Sequence, residues 1–121
     1  MINGGVASIY VTDMDRALVF YTGILGLSLR SRIADEWAEI DAGNGLTIGL
    51  HIAHPPESAA AGSVGAINVE LHVDQPMEQV VATLTGRGAG FEGEIANFEH
   101  VRIATVRDPD GNLIVLAETI G

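Results

Sequence analysis

Three side chains of types that do acid–base chemistry or bind metals lie in two apolar segments. Glu70 and His72 are two positions apart in AINVELHV (66–73), and His51 lies in LTIGLHIA (46–53). In an extended strand, side chains two apart share a face, with Cα atoms about 7 Å apart. The three are weak candidates for acid–base catalysis or for a metal site, although their spacing matches no metal motif. Alternatively, Glu70 and His72 form an ion pair on a solvated sheet surface, and His51 is an ordinary cleft or interface residue.

The positions of the remaining histidines and the absence of cysteine exclude several kinds of metal and catalytic site. His54 follows His51 by three residues, so in extended chain the two side chains are expected to point to opposite faces and not to form a metal pair. The pattern assigns neither the position of His100 nor the inward face of the strand predicted over 99–106. The chain has no cysteine, which excludes disulfides, thiolate catalysis and zinc–cysteine sites.

The elements that must position these side chains occur twice in one order: a strand, a helix and three strands. In the first half, strands are predicted over 6–11, 27–33, 37–42 and 46–53, with a helix between Thr12 and Gly26. In the second half, strands are predicted over 66–73, 90–95, 99–106 and 112–118, with a helix between Asp74 and Gly86. The expected fold is α+β, with two βαβββ modules forming curved mixed sheets around a cleft. We predict one domain of two repeats, about 4–53 and 65–119, joined by a linker over 54–64.

Capping and turn residues mark the boundaries of these elements. Thr12 or Asp13 is expected to cap the first helix, and Asp74 the second. Asn-Gly at 44–45 predicts a hairpin, and Asp-Pro-Asp-Gly at 108–111 predicts a type I turn. Buried stripes at helical spacing are predicted at Met14, Leu18, Tyr21 and Leu25, and at Met77, Val80, Val81 and Leu84.

Strand alternation assigns the side chains that face the predicted cleft. The opposite faces carry aliphatic residues, Leu46 among them, that are expected to pack on the helices. The residues predicted to contact a ligand are Tyr10, Trp37, His51, Asn68, Glu70, His72 and Val115. With Val6, Leu113 and Glu39 they give apolar walls and a few polar groups, as in small-molecule pockets. Trp37 is suited to stack on a planar or cationic ligand, or alternatively to be a half-buried packing residue.

Composition and charge bear on partners and compartment. The chain of 121 residues has 16 acidic and 6 basic residues. This balance argues against nucleic acid as a partner and would attract cationic small molecules, although it also serves solubility. No apolar run approaches the roughly 18 residues of a membrane-spanning helix, and the N-terminus lacks a signal-peptide pattern. We therefore expect a cytoplasmic protein with no membrane partner.

Two segments resemble a known superfamily. VTDMDRALVFYTGILGL (11–27) and VRDPDGNLIVLAE (106–118) are similar to the strand-to-helix signature and the final hairpin of the vicinal-oxygen-chelate proteins. That superfamily includes glyoxalase I, extradiol dioxygenases, fosfomycin-resistance transferases and bleomycin-resistance proteins. Together with the repeated element order, the resemblance covers nearly the whole chain and implies a glyoxalase-like fold.

The resemblance also implies where a metal would be held. In metal-dependent members, ligands project from the first and last strands of each half, at positions that here look like Val6, Gly49, Asn68 and Val115. The family usually places His, Glu or Gln there. Valine and glycine have no side-chain donor, and one Asn carbonyl oxygen is a weak ligand. We therefore expect a member without a metal or other cofactor.

Three functions remain open at this point. The first is a metal-free protein that binds a small cationic or aromatic molecule, as in the bleomycin-resistance branch. The second is a lyase, isomerase or dioxygenase with a displaced metal site or with metal-free acid–base catalysis. The third is a structural or regulatory module whose cleft is filled by its own side chains. The resemblance implies a homodimer in each case.

Overall fold

Two helices and nine strands make up the fold in the computed structural model, which describes residues 1, 6–56, 60–62 and 69–120. The strands are β1 (Ala7–Val11), β2 (Ser28–Ile33), β3 (Trp37–Gly43), β4 (Leu46–Ile52), β5 (Val69–His72), β6 (Gly90–Phe91), β7 (Ala96–Asn97), β8 (Val101–Arg107) and β9 (Leu113–Thr119). The helices are α1 (Met14–Leu18), which continues as a π-helix (Val19–Ile24), and α2 (Met77–Gly86). None of the helices described is long and apolar enough to cross a membrane.

Each half of the chain forms its own mixed sheet. The first sheet has the order β1-β4-β3-β2, and the second has the order β5-β9-β8-β6, with β7 also paired to β8. In both sheets the first strand of the half runs parallel to the last strand, and the other pairs are antiparallel. The predicted α+β fold with two mixed sheets is confirmed. The assignment of the chain to one domain of two repeats with a linker over 54–64 stays a prediction.

One hydrophobic core joins the two halves. It combines the helix-facing side chains of both sheets with the buried stripes of the helices, including Ile9, Tyr21, Leu50, Met77 and Ile114. Apolar burial of this kind is the main stabilising contribution to a small domain. The core therefore lies on one face of each sheet and leaves the other face of each sheet for the candidate site.

Helix α1 begins as predicted but changes geometry after one turn. The Asp13 carboxylate accepts a hydrogen bond from the Arg16 backbone N–H at 3.0 Å, which caps the first turn. After Leu18 the backbone widens into the π-helix, where the Thr22 hydroxyl donates to the Leu18 carbonyl at 2.6 Å. A hydroxyl that bonds the carbonyl four residues earlier competes with regular helix geometry. The helix expected between Thr12 and Gly26 is therefore present, but its second half has π-helical geometry.

The N-terminus of helix α2 is capped by a residue of a strand, and the prediction that Asp74 caps it is wrong. The cap position is Pro76, whose side chain makes no capping bond. Instead, the Glu118 carboxylate of β9 accepts a hydrogen bond from the Met77 N–H at 2.9 Å. A carboxylate at this end also interacts favourably with the helix dipole.

The turn at 108–111 ties the two halves together. The Gly111 N–H donates to the Asp108 carbonyl at 3.0 Å, as a β-turn requires. The Asp108 carboxylate is buried and accepts hydrogen bonds from the Tyr21 hydroxyl at 2.9 Å and from the Asn112 side-chain N–H at 2.8 Å. Burial raises the pKa of the Tyr21 phenol and the Asp108 charge raises it further, so Tyr21 stays protonated and donates. The Thr12 hydroxyl donates to Asp110 in the same turn.

Two strand predictions need correction. The strand expected over 90–95 is reduced to β6, and β7 follows after a bend. The Glu92 N–H still donates to the Thr105 carbonyl of β8 at 2.8 Å, and the regular pairing is interrupted at Gly93, which has a positive φ. Leu46, expected to be buried against a helix, is 38% exposed. It is the first residue after the hairpin at 44–45, where the strand has only begun to enter the sheet.

The ion pair between Glu78 and Arg102 gives a pH prediction. Arg102 on β8 donates to the Glu78 carboxylate in the first turn of α2, and this bond lowers the pKa of Glu78 from 4.5 to about 2. The contribution of the pair to stability is therefore complete above the ordinary glutamate pKa and is lost as the pH falls through about 2. We expect a carboxyl ¹³C NMR titration to give this low value in the wild type and an ordinary value in Arg102→Ala. An unchanged titration in the variant would contradict this assignment.

Candidate functional site

Three of the residues predicted to contact a ligand form one row across the open face of the first sheet. Tyr10 of β1 lies opposite His51 of β4, which lies opposite Trp37 of β3. The His51 ring meets the Tyr10 ring edge to face at 5.6 Å and the Trp37 ring at 5.8 Å between centroids. All three side chains are half-buried. The sheet register therefore assembles an aromatic row, which we define as Tyr10, His51 and Trp37.

The Trp37 indole covers Gly49. Glu39 lies directly opposite Gly49, so Trp37 is its diagonal neighbour, and a β-carbon added at Gly49 would overlap three atoms of the six-membered indole ring. The indole N–H donates to the Glu39 carboxylate at 3.3 Å. A glycine inside a strand marks a close approach by another group, and this signal in LTIGLHIA would have revealed the contact. Trp37 thus packs against the sheet while it keeps one side of the row accessible.

His51 is held through one ring nitrogen. Its Nδ1 lies 2.7 Å from the Ile52 carbonyl oxygen. The prediction that His51 and His54 point to opposite faces is wrong, because their ring centroids are 6.4 Å apart in an edge-to-face contact. Strand β4 ends at Ile52, so alternation no longer governs His54, which bonds Glu36 at 2.8 Å.

On the second sheet, Glu70 and His72 pair with each other on the edge strand β5. Their side chains are 3.2 Å apart at the nearest polar atoms, and both are exposed. This is the geometry of the ion pair on a solvated surface that was the alternative interpretation. Among the described side chains, Glu70 and His72 form no group with His51, which lies on the other sheet, that could hold a metal ion.

Val115 lies at the centre of the open face of the second sheet. Glu70 is its partner on one side and Thr105 its partner on the other. The register also answers the question left open for the strand at 99–106: Ile103 and Thr105 lie on the open face, while Ala104 and Val106 are buried in the core. His100 precedes β8, is exposed and lies 3.6 Å from the Glu99 carboxylate.

The positions at which the resemblance implies a metal do not carry residues that fit one. Val6 is exposed and has no donor atom, Gly49 has no side chain and is covered by Trp37, and Val115 is aliphatic. Asn68 lies outside the described residues. Among the side chains that the structure describes, no three of His, Asp or Glu are grouped so as to hold a metal ion. The donor set therefore disagrees with the metal site that the superfamily implies.

An acidic depression of about 350 Å³ lies beside the start of α1. Its lining includes Asp13, Asp15, Asp35, Glu36 and Ile52. The carboxylates are already engaged: Asp13 caps α1, Asp15 and Asp35 bind Arg32, and Glu36 binds His54. The depression is explained by these internal contacts, and we assign no site to it.

Comparisons with solved structures show the same fold in proteins of different activity. TnmS3, an antibiotic-binding protein from Streptomyces sp. CB03234, is 24% identical with a TM-score of 0.76, and the match covers 99% of this chain and 98% of that one. A superfamily member from Sphaerobacter thermophilus is 23% identical with a TM-score of 0.79, covering 98% of each chain. A lactoylglutathione lyase from Agrobacterium tumefaciens is 16% identical with a TM-score of 0.74, covering 96% of this chain and 92% of that one.

Sequence comparison is consistent with these structures. A search of curated proteins finds no match. The family model described as Glyoxalase/Bleomycin resistance protein/Dioxygenase superfamily matches residues 5–116. This range contains both helices, both sheets apart from the end of β9, and the turn at 108–111. The protein therefore belongs to the Glyoxalase/Bleomycin resistance protein/Dioxygenase superfamily.

Proposed function

We propose that this protein binds a small aromatic molecule, preferably a cationic one, on the open faces of its sheets without a resident metal. The observation that carries the proposal is the aromatic row, in which Trp37 covers the glycine at a family metal position. Binding by occupancy needs no nucleophile or general base. TnmS3, with the same fold, is described as an antibiotic-binding protein.

Charge favours a cation at this row. Glu39 is half-buried beside Trp37 and uses one carboxylate oxygen for the indole N–H. A cation over an indole face gains about 0.5 to 2 kcal/mol, and a nearby carboxylate adds to the attraction. The whole chain carries a formal net charge of −10, which concentrates cations near its surface.

The enzyme alternative has less support among the described residues, because Glu70 and His72, the pair that it could use, are both exposed on β5. Acid–base catalysis by Glu70 with His51 would require the two side chains to meet, whereas Glu70 pairs with exposed His72 on the second sheet. Metal analysis of protein purified without chelators separates the alternatives. Stoichiometric zinc, nickel, iron or manganese would contradict the metal-free proposal.

Calorimetric titration with the planar cation 9-aminoacridine tests the binding proposal. We expect saturable binding by the wild type, and binding weakened about tenfold or more in Trp37→Ala because the stacking surface is lost. Phe98→Ala is the matched control, since Phe98 is an exposed aromatic outside the aromatic row. Equal affinity in the wild type and Trp37→Ala would show that Trp37 does not contact the ligand. If the wild type bound neither this probe nor naphthalenes nor cationic glycopeptides, the proposed function itself would be contradicted.

Assembly and location stay predictions. A homodimer is supported by β2, an edge strand exposed at every position, with Leu29 and Ile33 among its exposed apolar side chains. An exposed edge of this kind is suited to pairing with another chain. The expected partners are a small-molecule ligand and a second copy of the chain, and the expected compartment is the cytoplasm.

A further inference from the structure

The two ring nitrogens of His51 have different surroundings. Nδ1 lies 2.7 Å from the Ile52 carbonyl oxygen, which can only accept a hydrogen bond. Nδ1 must therefore carry the proton. In a neutral imidazole the other nitrogen, Nε2, is then an acceptor with a free lone pair. None of the described residues hydrogen-bonds to Nε2.

The ring cannot easily turn to exchange these roles. It is flanked edge to face by Tyr10, Trp37 and His54, with centroid distances of 5.6, 5.8 and 6.4 Å. His54 is itself fixed by its contact with Glu36. The neighbours therefore hold the orientation that the Ile52 carbonyl selects, and they leave the far edge of the ring on the open face of the sheet.

We propose that His51 is the polar anchor of the ligand site and that its Nε2 selects aromatic molecules carrying a hydrogen-bond donor, such as a phenol O–H or a ring N–H. This inference rests on the proposed function, because it names the ligand class of the same site. The acceptor lies among aromatic rings that contact the body of a planar ligand, while Glu39 and the acidic surface disfavour an anionic one. An acceptor held at this place in the row thus discriminates between aromatic molecules of the same size by whether they carry a donor.

The tautomer is tested on the ligand-free wild type. Long-range ¹H–¹⁵N correlation spectra resolve the protonated and unprotonated nitrogens of neutral histidines. The chain has four histidines, and the signals missing in His51→Phe identify those of His51. We expect the proton on Nδ1. A proton on Nε2 would overturn the proposal without any binding measurement.

Ligand selection is tested with two neutral probes, 2-naphthol and 2-methoxynaphthalene, which differ in the donor. We expect the wild type to bind 2-naphthol about tenfold more tightly, as for one hydrogen bond made in a half-buried site. His51→Phe should bind the two probes equally while it still binds 2-methoxynaphthalene. Equal binding of both probes by the wild type would contradict the role of His51 and leave the proposed function intact. Binding of neither probe would count against aromatic binding itself, and the role of His51 would fall with it.

Discussion

Replacing Asp108 with alanine is expected to lower the free energy of unfolding by about 3 kcal/mol. The carboxylate is 5% exposed and accepts four hydrogen bonds, from the Tyr21 hydroxyl, the Asp110 N–H, and the backbone and side-chain N–H of Asn112. Removing it leaves the buried Tyr21 hydroxyl and three half-buried N–H groups without their acceptor, and a donor that water cannot reach costs about 1 to 3 kcal/mol. Urea unfolding followed by circular dichroism measures the loss.

Asp110→Ala is the matched control for this effect. Asp110 is a carboxylate in the same turn, but its bonds to Thr12 are exposed, so we expect a loss of less than about 1 kcal/mol. Tyr21→Phe removes only one of the bonds to Asp108 and should fall between the two variants. If Asp108→Ala and Asp110→Ala were equally stable, the turn would not join the two halves in the way described above.

Gly49→Ala is expected to displace the Trp37 indole and to destabilise the fold by about 2 kcal/mol, as for other overpacked sites. The added β-carbon would overlap the indole ring, whereas the backbone of Gly49 is not in the left-handed region, so the effect comes from the contact and not from strain. Trp37 is the only tryptophan, so its emission reports the displacement directly. We expect a red shift as the indole becomes more exposed.

A double-mutant cycle isolates the contact between these two residues. In a Trp37→Ala background, Gly49→Ala should cost little, because the overlapping ring is gone. Gly90→Ala is a matched control, since a β-carbon at this strand glycine would meet nothing within 4 Å. A destabilisation by Gly49→Ala that persists without Trp37 would show that the indole does not lie on Gly49.

The fold was predictable from the sequence because its signals are local and periodic. Alternation in the strands, the Asp13 cap, and the turns at 44–45 and 108–111 each depend on neighbouring residues, and the structure has them where expected. Alternation also placed Tyr10, His51 and Trp37 on one face. Their assembly into a row additionally required the register between strands, which hydrogen bonds distant in sequence determine.

The features that the sequence did not predict depend on tertiary contacts. The orientation of the Trp37 ring over Gly49 follows from the diagonal register of β3 and β4. His54 lies beyond the end of β4, where strand alternation no longer applies. Alternation therefore predicts the wrong orientation of His54 relative to His51. The ligand roles of these residues stay predictions, because a ligand is specified by the shape and charge of a whole face and not by a motif.

The capping of α2 by Glu118 has a consequence for the order of folding. Helix α2 has ten residues, too few to be stable alone in water, and its cap is supplied by a residue 41 positions away. Strand β5 likewise has β9 as its only neighbour among the described residues. Strand β5 and the N-terminus of α2 therefore depend on β9 for these contacts, although α2 also has an ion pair with β8 through Glu78 and Arg102. Contacts between residues this far apart in the sequence form only after a long loop has been closed, so we expect them to form late in folding.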